Sequence, residues 1–312
     1  MLTGSRKIRV LIVDDSAVVR KILSETLSAA RDIEVVGTAR DPIIAGEMIE
    51  RLRPDVLTLD VEMPRMNGLE FLQYLMRTKP MPVIMISSIT QRGSVAAVEA
   101  LAEGAVEVLA KPHGPYSVGD FQFTLADKVR NAASARLRRR GMGVAAGPVP
   151  PARTARVSAQ VGGGLNLIAI GASTGGTEAI ERILRDLPST MPPIVVVQHI
   201  PAGFSKAFAE RLDRLCELRV REAVNGDVAE PGLALVAPGN FHMRVVRMGN
   251  KYRVSISDGP LVCYQRPAVD VLFDSIAEAA PKQVVALLLT GMGSDGAAAM
   301  KRLRTAPGAS RP

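Results

Sequence analysis

Ser173, His199 and Asp295 each stand just past a short apolar run. Leu167-Ile168-Ala169-Ile170 leads into Gly171-Ala172-Ser173-Thr174-Gly175-Gly176, and Val195-Val196-Val197-Gln198 leads into His199. Ala286-Leu287-Leu288-Leu289 leads through Thr290 into Gly291-Met292-Gly293-Ser294-Asp295-Gly296. If the three runs are strands of one parallel sheet, their carboxyl ends share the edge where ligands bind, and the three residues converge there. A hydroxyl nucleophile, an imidazole base and a carboxylate that orients the imidazole make a hydrolase site. Gly171-Ala172-Ser173-Thr174-Gly175 has the G-x-S-x-G form of a nucleophile elbow, although a serine there also serves as a helix N-cap and a glycine-rich turn also cradles phosphate. Histidine is scarce enough to narrow the base: only His113, His199 and His242 exist, and His199 directly follows a strand-like run. Asp295 has a second reading as a cap of the helix expected from Ala297.

A second set of residues repeats the strand-end placement near the N-terminus. Asp14 and Asp15 follow Val10-Leu11-Ile12-Val13, and Asp60 follows Val56-Leu57-Thr58-Leu59. Ser87 follows Val83-Ile84-Met85-Ile86, and Lys111 follows Val108-Leu109-Ala110. Three carboxylates brought together need a cation, and a hard one such as Mg²⁺ takes oxygen ligands, water and phosphate. A carboxylate beside it can attack a phosphoryl donor, with Ser87 and Lys111 holding the phosphoryl oxygens. Taken singly, each residue reads as a cap or a turn. At four successive strand ends they read as a phosphorylation switch.

These constellations require elements to position them. Before about residue 131, strand-like segments (Ile8–Val13, Ile33–Thr38, Val56–Leu59, Val83–Ile86, Glu107–Ala110) alternate with helix-like ones. The helices are expected near Ala17–Ala29, Pro42–Arg51, Gly68–Thr78, Val95–Glu103 and Phe121–Asn131. Such alternation implies βαβ crossovers about a parallel sheet. Residues 132–164 turn to Ala, Arg, Pro and Gly without apolar period and read as a linker. From Leu165 strands are expected at Leu167–Ile170, Ile194–Gln198, Leu233–Val236, Tyr252–Ser257 and Val284–Leu289, with helices at Gly176–Asp186, Ser205–Cys216, Pro267–Ala279 and Ala297–Leu303. Gly249-Asn250 between alternating runs predicts a β-hairpin.

The 312 residues fit two α/β domains, each long enough to bury its own core. Only 4% of residues are aromatic and none is Trp, which argues against stacking on nucleic-acid bases. Net charge is +8, but residues 126–160 hold Lys128, Arg130, Arg136, Arg138, Arg139, Arg140, Arg153 and Arg156 against Asp127 alone. The basicity is therefore assigned to the connector, and neither nucleic acid nor membrane is an expected partner. Cys216 and Cys263 have no metal-type spacing and read as buried or idle thiols. The opening apolar run is too short for a signal peptide and no stretch reaches the length of a membrane span, so a reducing cytoplasm is expected.

Val10–Ser16, Thr58–Pro64 with Asn67-Gly68, Ile86–Ser88 and Lys111-Pro112 resemble the receiver domain of two-component response regulators. The resemblance implies that Asp60 accepts phosphate from a histidine kinase. It also implies that Asp15, Asp60 and the Glu62 carbonyl bind Mg²⁺ with Asp14 nearby, and that Ser87 and Lys111 relay the state. The order Ser, His, Asp departs from the Ser, Asp, His order of α/β-hydrolases. Gly171–Gly176, Gln198-His199-Ile200-Pro201, Ala237-Pro238-Gly239 with His242-Met243, Arg266-Pro267 with Asp270-Val271-Leu272-Phe273, and Thr290–Gly296 instead resemble the chemotaxis protein-glutamate methylesterase family (CheB), in which a receiver precedes the catalytic domain.

That second resemblance implies hydrolysis of glutamate methyl esters, and deamidation of glutamines, on methyl-accepting chemoreceptors, with no metal at the esterase site. Backbone amides after Ser173, at Thr174 and at Met292, would bind the oxyanion. The expected organisation is a flavodoxin-like doubly wound receiver over 1–131, a linker over 132–164 and a second doubly wound α/β methylesterase domain over 165–312. Family members continue past the ending Thr-Ala-Pro-Gly-Ala-Ser-Arg-Pro, so the catalytic domain reads as truncated. The alternative kept open at this point is a phosphate-accepting, catalytically impaired receptor-binding adaptor.

Overall fold

The computed structural model describes residues 6–88, 90–111, 118–135, 166–249, 251–279, 284–290 and 293–305. His113, Met292, most of the expected linker and the chain after residue 305 lie outside these. The chain divides into two compact units, Met1–Met142 and Gly143–Pro312.

In the first unit, strands β1 (Ile8–Val13), β2 (Ile33–Ala39), β3 (Val56–Asp60), β4 (Val83–Ser87) and β5 (Glu107–Ala110) alternate with helices. The helices are α1 (Ala17–Ser28), α2 (Pro42–Leu52), α3 (Gly68–Thr78), α4 (Gln91–Ala102) and α5 (Val118–Ser134). All strands pair in parallel in the order β2-β1-β3-β4-β5. β3 and β4 are buried along their whole length, as strands covered by helices on both faces must be. Local chemistry sets the helix starts. Asp41 accepts from the Ile44 amide with Pro42 in the first turn, and Asn67 with Glu70 forms a reciprocal capping box. The strand order reverses between β1 and β3, which puts a ligand crevice at their carboxyl ends.

In the second unit, β6 (Leu167–Ala172), α6 (Gly176–Arg185), β7 (Ile194–Gln198), α7 (Phe204–Leu215), β8 (Arg219–Glu222), β9 (Val228–Ala229) and β10 (Leu233–Val236) come first. The hairpin β11 (His242–Met248) and β12 (Lys251–Ser257) follows, then α8 (Val269–Ala279), β13 (Val284–Leu288) and α9 (Ala297–Thr305). The main sheet is parallel in the order β13-β6-β7-β10-β8, and β11-β12-β9 form a small antiparallel sheet. The doubly wound α/β expectation therefore describes both units.

β6 lies next to both β7 and β13, so the strands carrying the Ser, His and Asp segments are neighbours. Leu272, Phe273 and Ile276 of α8 are buried against Leu167, Ala169, Val195 and Val197 of the sheet. Gly171 permits this closeness, because a Cβ there would stand 2.3 Å from Val269 Cγ1. β13 is an edge strand whose Val285 and Leu288 side chains are exposed.

Three sequence expectations need correction. β8 and β9 were not anticipated, since Arg219-Val220-Arg221-Glu222 is charged on its exposed positions and β9 has two residues. Lys128 and Arg130 do not belong to a connector: Lys128 Nζ lies 2.7 Å from Glu107 Oε2 in a buried pair, and Arg130 pairs with Asp32 and Asp127. Cys263 is not buried but exposed, with its thiol 3.7 Å from the Asp270 carboxylate.

Candidate active site and receiver acid cluster

The β6-to-α6 turn presents Ser173 with its backbone tied on both sides. Its N–H donates to Thr290 O at 2.8 Å, and its carbonyl accepts from Gly176 N at 2.7 Å. β7 ends beside it, with His199 N donating to Ala172 O at 3.0 Å. Across this joint His199 Nδ1 lies 3.0 Å from Ser173 Oγ and His199 Nε2 lies 2.7 Å from Asp295 Oδ2. An ionised carboxylate only accepts, so Nε2 carries the proton and Nδ1 keeps its lone pair for the serine hydroxyl. The ring nitrogens are exchanged relative to the serine-protease template, with the same division of labour. Ser173 is 8% and His199 9% exposed, which recesses the hydroxyl and the imidazole below the surface.

Asp295 is held by more than the imidazole. The Val269 amide donates to its Oδ2 at 2.7 Å and the Asp270 amide to its Oδ1 at 2.8 Å, so the N-terminus of α8 binds the carboxylate. Burial works to raise the Asp295 pKa, but the bonds from His199, Asp270 and Val269 outweigh it and hold the carboxyl below its ordinary 3.8. Asp270 returns the contact: its own Oδ1 accepts from Ala299 N at 3.0 Å, inside the first turn of α9, which follows Asp295 directly. Its Oδ2 meets the Cys263 thiol at 3.7 Å.

Gln198 is the other residue the sequence reading left without a role. Its side chain is buried, and Nε2 donates both to Ser173 O at 2.8 Å and to His199 O at 3.2 Å. One amide thus spans Ser173 and His199. Its Oε1 would lie 2.1 Å from a Cβ at Gly176, so position 176 must be glycine for Gln198 to sit there. The QHIP motif contained Gln198, but a bond reaching back 25 residues has no signature in linear sequence. His242, the competing base, is committed elsewhere: Nε2 donates to Pro260 O at 2.8 Å and Nδ1 accepts from Ala268 N at 3.3 Å. Thr174 follows Ser173 in the turn, half-buried; Met292 lies outside the described residues.

At the crevice of the first unit, carboxylate oxygens of Asp14, Asp15 and Asp60 lie within 4.8 Å of one another. Lys111 Nζ lies 2.7 Å from Asp60 Oδ2 and 3.3 Å from Asp14 Oδ2. Asp14 and Asp60 are fully buried, and burial raises both pKa values, that of Asp60 to about 6 with the neighbouring Asp14 charge adding to the rise against the pull of Lys111. Asp14 Oδ2 accepts no hydrogen bond despite its burial. One ammonium does not balance three carboxylates, and this all-oxygen donor set fits a hard divalent cation. Ser87 is buried at the end of β4, and the Glu62 carboxylate turns away to accept from Ser88 Oγ at 2.6 Å. Gly68 closes the loop against Asp60, whose carbonyl oxygen would be 1.9 Å from any Cβ at that position.

A family model described as CheB methylesterase matches residues 168–310, and one described as response regulator receiver domain matches residues 10–118. The chain is 50% identical over 298 residues to the protein-glutamate methylesterase/protein-glutamine glutaminase 2 of Syntrophus aciditrophicus, covering 96% of this chain and 86% of that protein. It is 48% identical over 305 residues to the protein-glutamate methylesterase/protein-glutamine glutaminase of Chromohalobacter salexigens, covering 97% of this chain and 84% of that protein. Among solved structures it is similar to the CheB methylesterase catalytic domain of Thermotoga maritima, at 38% identity over 45% of this chain and 75% of that one, with a TM-score of 0.44.

Proposed function

Because this chain belongs to the receiver-linked chemotaxis methylesterase family, we propose that Ser173, His199 and Asp295 carry its hydrolytic chemistry and that Asp60 controls it. The protein is a protein-glutamate methylesterase and protein-glutamine glutaminase. Its parts are a receiver that runs through the end of α5 at Ser134, three residues beyond the boundary expected from sequence, a connector from there to 164 and a catalytic domain over 165–312.

Ser173 Oγ attacks the side-chain carbonyl carbon of a glutamyl ester while His199 Nδ1 takes the hydroxyl proton. The tetrahedral oxyanion is met by backbone amides at Thr174 and Met292. Collapse breaks the acyl–oxygen bond, His199 returns the proton to the departing methoxide, and methanol leaves. Water then attacks the acyl-serine with His199 again as base, which releases glutamate and restores Ser173. For a glutamine side chain the same steps release ammonia. Asp295 keeps Nε2 protonated and stabilises the imidazolium in each half. The observation that carries this reading is His199 bridging Ser173 at 3.0 Å and Asp295 at 2.7 Å.

In the receiver, Asp60 accepts a phosphoryl group from a histidine kinase; Asp15, Asp60 and the Glu62 carbonyl, with Asp14 nearby, would hold Mg²⁺, and Ser87 and Lys111 would meet the phosphoryl oxygens. Bound Mg²⁺ would neutralise charge on the transferring group. The substrates are methyl-accepting chemoreceptors, met in the cytoplasm; no described helix is long and apolar enough to cross a membrane.

The test is methanol release from methylated receptor, with and without Mg²⁺ and a small phosphodonor. Release should rise with the phosphodonor, vanish in Ser173→Ala, and lose its phosphodonor response in Asp60→Ala. Release that persists in Ser173→Ala would overturn the assignment of the nucleophile.

A further inference from the structure

A projecting turn beside the triad has a form its sequence does not favour. Val262 N donates to Gln265 O at 3.1 Å and Gln265 N to Val262 O at 2.9 Å, which closes a two-residue hairpin over Cys263 and Tyr264. Both residues have positive φ, 50° and 61°. Turns of this form favour Asn-Gly, because a Cβ is disfavoured at both positions. Strained non-glycine residues of this kind concentrate at functional sites. Tyr264 gains no burial from the arrangement: it is 84% exposed at the tip.

The turn is fixed to the catalytic machinery on one side. The Cys263 thiol and the Asp270 and Asp295 carboxylates lie within 4.8 Å of one another. On the other side the turn is latched to the loop before β11. Asn240 N donates to Arg266 O at 3.1 Å, Arg266 Nε and Nη2 donate to Asn240 Oδ1, and His242 Nε2 donates to Pro260 O. Phe241, between those two anchors, is 41% exposed, and Leu261 is 46% exposed. Three large apolar side chains therefore stand on two interlocked loops at the rim of a site whose nucleophile is recessed.

A glutamyl side chain can reach Ser173 only if the polypeptide that bears it stays outside on that rim. We propose that Tyr264, with Leu261 and Phe241, forms the platform on which the substrate protein docks, receiving apolar side chains that flank the glutamyl ester. The strained turn holds the Tyr264 ring out in advance, so little ordering is left to binding. Exposed aromatic anchors of this kind dominate protein recognition. The inference rests on the reading of Ser173 as nucleophile and adds what selects a protein substrate over a free ester.

The test uses the full-length chain with phosphodonor and Mg²⁺, assayed on a methylated receptor and on a small ester, N-acetylglutamate γ-methyl ester. Tyr264→Asn removes the ring while keeping a residue that tolerates positive φ. The ratio of kcat/KM for the protein to that for the small ester should fall about tenfold or more, through KM for the protein, and fall further in Phe241→Ser/Leu261→Ser. An unchanged ratio in both variants would overturn the proposal. So would a parallel loss on both substrates, which would make the turn a support of the triad. Raised activity without phosphodonor and an unaltered protein KM would assign the platform to a segment of the chain itself and overturn it equally. Ser173→Ala separates the two readings, because activity surviving there sinks the nucleophile assignment whatever Tyr264 does.

Discussion

At the scale of single residues, the site is an exercise in fixing an imidazole. Asp295→Asn keeps the shape but offers His199 Nε2 an amide in place of an acceptor-only carboxylate, which favours the wrong tautomer. About a 10⁴-fold fall in kcat is expected, as measured for the equivalent change in serine proteases. Gln198→Met removes both donated bonds at similar volume, leaving the Ser173 and His199 carbonyls less restrained. Small misplacements of reacting groups cost on the order of 10²-fold, so kcat should drop by about that factor with KM little changed. An equal rise in KM would refute a positioning role. The Asp295 carboxyl also ties stability to pH. Its folded pKa lies below the unfolded value near 3.8, so its stabilising contribution is complete above that pH and is lost as pH falls through the lower folded value. Asp295→Asn should flatten this acid limb in unfolding midpoints measured between pH 5 and pH 2. The meeting of Ser173, His199 and Asp295 was legible in sequence because each follows an apolar run, and strand ends in a parallel sheet share an edge. Gln198 was not, because its partners are backbone carbonyls that any sequence supplies.

At the scale of elements, α8 and α9 hold each other through Asp270 and Asp295. The amides that open α8 bind the Asp295 carboxylate, and the Asp270 carboxylate binds the Ala299 amide in α9. Asp270→Ala leaves that buried amide unpaired, at a cost of about 1–3 kcal/mol, and loosens the turn that carries Asp295. Both the thermal midpoint and kcat should fall, while Asp270→Asn, which keeps an oxygen toward Ala299, should recover most of the midpoint. Full stability in Asp270→Ala would dismiss the clamp. Elements with strong periodicity were readable: α3 runs over Gly68–Thr78, the range expected from sequence. β8 and β9 were hidden because an edge strand of alternating charge and a two-residue strand lack the apolar run that marks the others. The buried Lys128–Glu107 pair was misassigned for a related reason. A lysine count cannot distinguish a solvated connector from a helix whose ammonium meets a carboxylate on the neighbouring strand.

At the scale of the whole molecule, two units with separate cores and separate chemistry imply that a ligand of one reports on that unit. The acid cluster concentrates Asp14, Asp15 and Asp60 about a single lysine, and the buried Asp14 Oδ2 is left without a hydrogen bond. A divalent cation bound among these oxygens would offset their mutual repulsion. A ligand binding only the folded state stabilises it by an amount that grows with the logarithm of its concentration, about 2.7 kcal/mol at a hundred times Kd. Calorimetry of the full chain should therefore resolve a transition that moves upward with Mg²⁺ and returns on chelation. A second transition should be indifferent to the ion if, as expected for this family, hydrolysis at Ser173 needs no metal. Asp15→Ala, an exposed position whose loss leaves the sheet core intact, should abolish the upward shift without altering Ser173-dependent hydrolysis of a small ester. If Mg²⁺ instead moved both transitions together, the units would unfold as one cooperative body, and the division of the chain into an independently folding switch and an independently folding esterase would fail.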